Sequence, residues 1–240
     1  MEYILIALAL FDVAAITLII VMNHKRKKKQ RQINHYGDSA EERVSAYLRR
    51  QQPGCLLLNN MYLKTDVGLT QLDHILICHH GIFVIETKSH NGHIVTGSHQ
   101  WVQYYKEKTV KFHNPTLQNQ IHRKALLQVL STEKSLSGIP VYGVTVFTSR
   151  NVTFSNNVKD VIKLPQLGGY IRRNGLIAQT ARSQSKANQT IAKTKKTHKR
   201  GGLSRSKMVQ IERLILSKAE KSRFKQDKHR NKVQNLTHQY

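Results

Sequence analysis

Two acidic residues and a lysine lie in apolar, strand-like segments where few charges are expected. Asp73 belongs to the segment TQLDHILI, and Glu86 belongs to GIFVIETK, with Lys88 two residues further on. Because alternate residues of a strand project from the same face, Glu86 and Lys88 would hold a carboxylate and an ammonium side by side. Asp73, on the neighbouring strand, can bring a second carboxylate to the same place.

These residue types suit metal-assisted hydrolysis of a phosphodiester. Two carboxylates with open coordination positions favour Mg²⁺ or Mn²⁺, which keep several waters for substrate phosphate. The cation would lower the pKa of a bound water, while the lysine would orient that water and stabilise the transition state. We therefore predict that Asp73 and Glu86 are metal ligands and that Lys88 is catalytic. The plainer alternative is an exposed Glu86–Lys88 pair with Asp73 capping a strand.

Two helices are predicted beside these strands. The segment YGDSAEERVSAYLRRQ predicts a helix over about 39–51, and an amphipathic helix begins at Asn114-Pro115 with Leu117 and Ile121 among its apolar residues. Glu41 and Gln118 each open one of these helices, where either could reach the metal-bearing edge of the sheet. For Glu41, a favourable interaction with the helix dipole is the plainer explanation.

The order of elements predicts the fold class. Strand-like segments between the two helices favour sequential antiparallel pairs, VYGVTVFTS predicts a buried strand, and VIKLPQLGGYIRR predicts a short strand followed by a helix. This order predicts an α/β fold in which helices flank one central sheet.

The N-terminal region predicts a membrane anchor. Residues 3–22 are apolar except for Asp12 and Thr17, and a basic cluster follows directly. A helix of that length spans roughly 30 Å, the thickness of a bilayer core. We expect a transmembrane anchor over 1–23 and a basic linker over 24–35. The positive-inside rule then places the N-terminus outside and the rest in the cytoplasm.

The composition points to anionic partners. The formal net charge is +25, from 39 Lys and Arg against 14 Asp and Glu. Nucleic acid, anionic lipid or an acidic protein would be attracted to such a chain. Cys55 and Cys78 show no CxxC or metal-ligand spacing, so free thiols in a reducing compartment are expected.

The C-terminal segment 174–240 is a strongly basic tail. Before the Gly201-Gly202 break it is polar and typical of disorder, and afterwards the apolar spacing allows an amphipathic helix near 205–224. The tail could hold nucleic acid against the preceding domain or lie on an anionic membrane surface.

Several motifs in sequence order resemble the nuclease-related domain family, NERD. They are GDSAEERV, TQLDHILI, GIFVIETK, a turn with Gly92, Ile94 and Gly97, Trp101, and NPTLQNQIHRKAL. The resemblance covers about residues 36–173. It implies membership of the PD-(D/E)xK nuclease-like superfamily, with a restriction-endonuclease-like mixed central sheet flanked by helices.

The resemblance also implies roles for individual residues. Asp73 and Glu86 match the metal ligands, Lys88 the catalytic lysine, Glu41 the acid of the first helix, and Gln118 the glutamine of the helix after the sheet. Ala40 departs from the pattern, because the family usually has glycine before that glutamate.

The sequence therefore predicts a membrane-anchored, Mg²⁺- or Mn²⁺-dependent nuclease, with DNA favoured over RNA. The alternative is a non-catalytic, membrane-tethered nucleic-acid-binding or scaffold protein with the same fold. No P-loop, GxSxG or GxGxxG motif occurs, which argues against NTPases, serine hydrolases and dinucleotide enzymes. Eight histidines in this region lack paired-ligand spacing, and most are expected in loops or on the surface: His74, His79, His80, His90, His93, His99, His113 and His122.

Overall fold

The computed structural model describes residues 2–65, 68–175, 202–222 and 225–229. Within the first helix, only the backbone is described at 2–15, 26–27 and 29–36. The chain divides into two compact units, Met1–Ala40 and Glu41–Tyr240. Every residue predicted to take part in catalysis belongs to the second unit.

Four helices and nine strands form the principal elements of the described residues. The helices are α1 (Glu2–Gln51), α2 (Pro115–Ser131), α3 (residues 167–175) and α4 (Arg205–Lys218). The strands are β1 (Leu56–Thr65), β2 (Gly68–Cys78), β3 (Gly81–Lys88), β4 (His93–Val95), β5 (Gln100–Tyr105), β6 (Lys108–His113), β7 (Val141–Phe147), β8 (Thr153–Phe154) and β9 (Val161–Lys163).

The first helix ends as predicted but begins much earlier. It ends at Gln51, just before Pro53-Gly54, whereas the sequence predicted a start near residue 39. The segment 24–35, predicted as a linker, is helical as well. No proline occurs between residues 2 and 51, and the single Gly37 does not interrupt the backbone hydrogen bonds.

The predicted transmembrane anchor over 1–23 receives no support. Among the described residues, none of the helices combines the length and the apolar character that crossing a bilayer requires. The side chains of residues 1–15 lie outside the described residues. Within the apolar stretch 3–22, side chains are therefore described only at residues 16–22.

A five-stranded mixed sheet forms the centre of the second unit. Its strand order is β1-β2-β3-β7-β9. The first three strands are an antiparallel meander, as predicted, while β7 pairs in parallel with β3 and β9 pairs in parallel with β7. The crossover from β3 to β7 contains α2. The predicted mixed sheet flanked by helices is therefore confirmed.

The remaining strands form a second sheet, which the sequence did not predict. Its order is β6-β5-β4-β8, and Trp101 is buried there with Ile94 and Phe147. The prediction of one sheet was wrong because β7 pairs along the edge of β3. The segment that follows β3 therefore pairs within a separate sheet.

Both faces of the central sheet are covered. Ile75, Ile77, Ile82 and Val84 pack on the side of α2 and α4, whereas Leu76, Phe83 and Ile85 pack on the side of α1 and α3. Strands that are buried on both faces have nearly continuous apolar sequences, as β2 and β3 do. The few polar side chains in these strands therefore need partners inside the fold.

Helix α4 falls within the segment where an amphipathic helix was predicted. Its buried face consists of Met208, Ile211, Leu214 and Ile215, which join the cluster around Ile75 and Ile82. Ser204 caps its first turn by accepting a hydrogen bond from the Lys207 amide. This helix therefore adds apolar burial to the central sheet.

The prediction of free thiols is wrong, because Cys55 and Cys78 form a disulfide. The register explains the pairing. Leu56 lies opposite Ile77 across β1 and β2, so the preceding Cys55 lies opposite the following Cys78. The Cα atoms are 4.5 Å apart, although 23 residues separate the two cysteines in sequence. Bonds of this kind persist in oxidising compartments.

Reduction of the disulfide is expected to lower the free energy of unfolding by about 3 kcal/mol, because it releases a closed loop in the unfolded chain. Urea denaturation of the oxidised protein, with and without a phosphine reductant, measures the difference. The Cys55→Ser/Cys78→Ser double variant serves as the control and should not respond to the reductant. Equal midpoints for oxidised and reduced wild type would contradict this expectation.

Candidate active site

The register of β2 and β3 places the two acids on the same face of the central sheet. His74 lies opposite Ile85, so the next pair along the antiparallel ladder is Asp73 and Glu86. Directly opposed residues project from the same face. This is the face that packs against α2, and α2 carries Gln118.

Both carboxylates are buried. Asp73 is 9% exposed and Glu86 is 1% exposed. The Thr87 backbone amide donates a 2.8 Å hydrogen bond to Asp73 Oδ2, which fixes that carboxylate beside β3. The acids predicted as metal ligands are therefore buried on one face of the sheet rather than facing solvent.

Lys88 is the last residue of β3, and its side chain contacts α2. Its Nζ is 2.6 Å from Glu86 Oε1 and donates a 3.1 Å hydrogen bond to Gln118 Oε1. Asn114 caps α2 by accepting a hydrogen bond from the Thr116 amide, so Gln118 comes in the first turns of the helix. The structure thus brings Lys88, Glu86 and Gln118 together, while their roles stay predictions.

Glu41 approaches the site from α1. It is half-buried, and its charge raises the pKa values of both Asp73 and Lys88. Its carboxylate therefore adds negative charge near Asp73 and Lys88.

The pKa values of the three central groups are strongly shifted. Burial, with Glu86 and Glu41 nearby, raises the pKa of Asp73 well above its usual range. Burial also opposes ionisation of Glu86, but Lys88 and His122 outweigh it and lower the pKa of that carboxyl. The pKa of Lys88 is raised, because Glu86 and Asp73 outweigh the effect of its burial.

These shifts limit the chemistry that each group can perform. The raised pKa keeps Lys88 protonated at neutral pH, so its ammonium places a positive charge beside Glu86. The pKa of Asp73 is raised mainly by burial and further by the neighbouring Glu86 and Glu41 carboxylates. A bound cation would offset the charge of these carboxylates, and it would compete with the proton for Asp73.

The donor set fits a divalent cation. Among the described residues, no group of three or more His, Cys, Asp or Glu side chains is arranged to hold a metal ion. Mg²⁺ and Mn²⁺ are nevertheless commonly held through one or two carboxylates. Glu86 Oε2 accepts no hydrogen bond in the described part of the chain, and His122 Nδ1 lies 3.2 Å from it.

His122 also contacts Glu86, although no role for it was predicted from the sequence. It is 3% exposed, and its Nδ1 lies 3.2 Å from Glu86 Oε2. The signal was its position four residues after Gln118, which places both on one face of α2. The apolar residues Leu117 and Ile121 are instead 37% and 50% exposed, so they do not form the buried face.

His74 supports the strands from the opposite face. It is fully buried, with Nδ1 2.9 Å from Asn59 Oδ1 and Nε2 3.0 Å from Thr87 Oγ1. A neutral ring satisfies both contacts by donating to Asn59 and accepting from the Thr87 hydroxyl. Burial, together with the charge of Arg49, lowers the pKa of His74 to about 4.

An antiparallel meander, a crossover helix and a parallel strand form a mixed α/β domain that carries two acids and a lysine on adjacent strands. Residues 36–148 match the model of the nuclease-related domain, NERD, which belongs to the PD-(D/E)xK-like nuclease superfamily. This part of the chain therefore matches the nuclease-related domain, as the resemblance predicted.

One curated relative is an uncharacterized protein of Bacillus anthracis. It is 34% identical over 122 residues, which cover 49% of this chain and 56% of the relative. The chain thus matches little more than half the length of that relative. No solved structure matches the chain.

Acidification is expected to destabilise the fold through His74. Below pH 6.5 the unfolded chain binds a proton at His74 that the folded chain does not bind until about pH 4. The contribution of His74 to the free energy of unfolding is therefore full above pH 6.5. It decreases as the pH falls from 6.5 to about 4. Between pH 7 and 5 the expected loss is about 2 kcal/mol.

Urea denaturation at both pH values, with a chelator present, measures this loss. The pH-dependent loss should be smaller by about 2 kcal/mol in His74→Gln, because that variant lacks the titrating group. The exposed His99 provides a matched control, and His99→Gln should keep the wild-type loss. If His74→Gln loses as much stability as the wild type, the assigned linkage is wrong.

Proposed function

We propose that this protein is a metal-dependent nuclease that hydrolyses phosphodiester bonds of nucleic acid, with DNA as its preferred substrate. The observation that carries the proposal is the convergence of Asp73, Glu86 and Lys88 on one buried position within a nuclease-related domain. If Glu86 and Lys88 were only an ion pair on the protein surface, Glu86 would be exposed, whereas it is buried.

The two carboxylates would hold the metal ion. When bound, Mg²⁺ or Mn²⁺ supplies an activated water and neutralises charge on the phosphate. Thr87 orients Asp73 through its backbone amide, so the carboxylate need not reorganise when the ion binds. Burial strengthens each of these electrostatic interactions, because little water remains to screen them.

Lys88 would stabilise the negative charge that develops on the phosphate. Its ammonium is held by Glu86 and Gln118, so it is positioned before substrate arrives. A fixed cation of this kind, aimed at developing charge, is a large contribution to catalysis in many enzymes. Gln118 acts as a positioning residue, since it accepts a hydrogen bond from the ammonium.

Positive charge beside the site supports a nucleic-acid substrate. Exposed Arg43 donates a 3.1 Å hydrogen bond to the Thr148 hydroxyl, and the Thr148 amide bonds to the Lys88 carbonyl. Guanidinium groups bind phosphate through paired donors. With a net charge of +25, the chain would attract a polyanion from a distance.

The predicted membrane and anionic-lipid partners are not supported by the described residues or by the comparisons. A membrane location with a cytoplasmic catalytic domain stays a prediction from the sequence. The proposed chemistry does not depend on it.

Cleavage of supercoiled plasmid by the full-length chain tests the proposal. We expect cleavage with Mg²⁺ or Mn²⁺ and none with a chelator. Asp73→Asn and Lys88→Ala should each lower the rate by about a hundredfold or more, since each removes a charge needed in the transition state. Glu107→Gln changes an exposed acid in the turn between β5 and β6 and should cleave at the wild-type rate.

The outcomes separate a nuclease from a non-catalytic binder. A binder would retain DNA in a salt-sensitive manner, without metal, and Asp73→Asn would leave that affinity unchanged. Absence of cleavage by the wild type, or cleavage that survives both Asp73→Asn and Lys88→Ala, would overturn the nuclease proposal. A parallel assay with single-stranded RNA tests the preference for DNA.

A further inference from the structure

The second sheet, built from β6, β5, β4 and β8, packs its inner face against the domain core. Trp101 and Phe112 lie opposite each other across β5 and β6, and with Ile94 of β4 they pack against Phe147. Alternate residues of a strand project from opposite faces, so the residues between them point away from this cluster. We call the face that these other residues form the outer face.

Two rows of paired residues make up the outer face. The register aligns His93 of β4 with Tyr104 and Thr109, and it aligns Val95 with Val102 and Lys111. Directly opposed residues project from the same face of a sheet. Val102 is partly buried, and the other five side chains are exposed. The outer face thus presents an aromatic ring, apolar side chains and a lysine to solvent.

Tyr104 is the aromatic residue of the outer face, and 48% of it is exposed. Trp101, in the same strand, is 1% exposed, and its Nε1 donates a 2.9 Å hydrogen bond to the Gly97 carbonyl. Trp101 therefore belongs to the core, whereas the ring of Tyr104 is accessible to a ligand. An exposed ring on a sheet is a surface on which a second planar group can stack.

The charge around the outer face favours an anionic ligand. None of its six paired residues is acidic, and one of them is Lys111. From residue 91 to residue 113 the chain has three lysines and one acid, Glu107, which lies in the turn between β5 and β6. A tyrosine ring near a lysine matches the two parts of a nucleotide, because the base is planar and the phosphate is negatively charged.

The exposed ring distinguishes single strands from duplexes. In a duplex each base is covered on both sides by its neighbours, so its planar face is not available to a side chain. An unpaired base exposes that face, and proteins that bind single strands stack such bases on aromatic side chains. A purely electrostatic surface has the opposite preference, since a duplex carries more charge per unit length.

We propose that the outer face binds single-stranded nucleic acid, with an unpaired base stacked on Tyr104 and a phosphate bound by Lys111. Lys111 is a diagonal cross-strand neighbour of Tyr104, at a separation of about 7–8 Å that long side chains bridge, so both can contact one nucleotide. The inference rests on the proposed function, because it takes nucleic acid as the substrate. It adds that the bound substrate contains an unpaired segment.

Photocrosslinking of the full-length chain to an iodouracil-substituted single strand tests the location of the contact. Iodouracil couples on irradiation to aromatic side chains that stack on it, and a chelator keeps the strand intact. Mass spectrometry of the digested complex should place the crosslink at Tyr104. Crosslinks at other residues alone, or none with a saturating strand, would overturn the assignment whether or not any variant folds.

Affinity for a labelled oligothymidine of about 16 nucleotides, and for its duplex, provides the second measurement. With a chelator and enough salt to weaken nonspecific binding, the wild type should bind the single strand at least about fivefold more tightly. Tyr104→Ala should weaken single-strand binding about tenfold or more, whereas Tyr104→Phe keeps the ring and should stay within about twofold.

The neighbouring Tyr105 is the matched control for Tyr104. It is 40% exposed but projects from the opposite face of β5. Tyr105→Ala should therefore bind the single strand within about twofold of the wild type, because the stacking contribution is assigned to Tyr104. Equal losses in Tyr104→Ala and Tyr105→Ala would contradict binding by the outer face.

The salt dependence tests the phosphate contact. Lys111→Gln should lower the slope of log affinity against log salt concentration by about 0.7, the value for one phosphate contact to a single strand. Lys108 provides the matched control, since it pairs with Tyr105 and so belongs to the other face. Lys108→Gln should leave the slope unchanged, and equal slopes for the two variants would contradict the contact with Lys111.

These results are separable from the nuclease proposal, because binding is measured without metal. Equal or tighter binding of the duplex, or a folded Tyr104→Ala variant that binds as the wild type does, would overturn the outer-face assignment. Plasmid cleavage that depends on Asp73 and Lys88 would then still support the nuclease. Single-strand binding that depends on Tyr104, in a chain that cleaves nothing, would support the outer face and overturn the enzyme.

Discussion

The ion pair between Glu86 and Lys88, inside the central sheet, is the interaction on which the rest of the site depends. Glu86 is 1% exposed, and a buried carboxylate without partners would cost several kcal/mol. The 2.6 Å contact with Lys88 offsets that cost and fixes both charges. The period of the strand makes the contact possible, because residues 86 and 88 project from the same face. The site is therefore a local consequence of one short sequence placed in a buried strand.

The surrounding fold keeps that strand buried and places polar side chains beside it. Parallel pairing with β7 covers one edge of β3, and the antiparallel pairing with β2 brings Asp73 beside it. Helix α2 closes the face and adds Gln118. Polar side chains occupy positions that apolar residues fill elsewhere in the sheet. Their burial lowers the free energy of unfolding, but it holds a group of charges in a fixed arrangement.

Local patterns made much of this predictable. The apolar strands, the period of Glu86 and Lys88, and the Asn114-Pro115 start of α2 are all features of adjacent residues, and each agreed with the structure. The pairing of Cys55 with Cys78 was missed, because it depends on the register between two strands. A change of one residue in that register would have separated the cysteines.

His122 and the extent of α1 were missed for different reasons. Apolar periodicity pointed to Leu117 and Ile121 as buried residues of α2, whereas the structure buries Asn119 and His122 instead. A helix that faces a polar site does not follow the apolar pattern over that turn. The early start of α1 was missed because charged residues were interpreted as a linker, although nothing in them prevents helix formation.

Crystals of the full-length chain soaked in Mn²⁺ provide the most direct test, because anomalous scattering locates the ion without reference to activity. We expect a single strong peak within coordination distance of the Asp73 and Glu86 carboxylates. An ion bound elsewhere, or a saturated soak that leaves this position without a peak, would contradict the claim that these side chains form a metal-dependent catalytic centre.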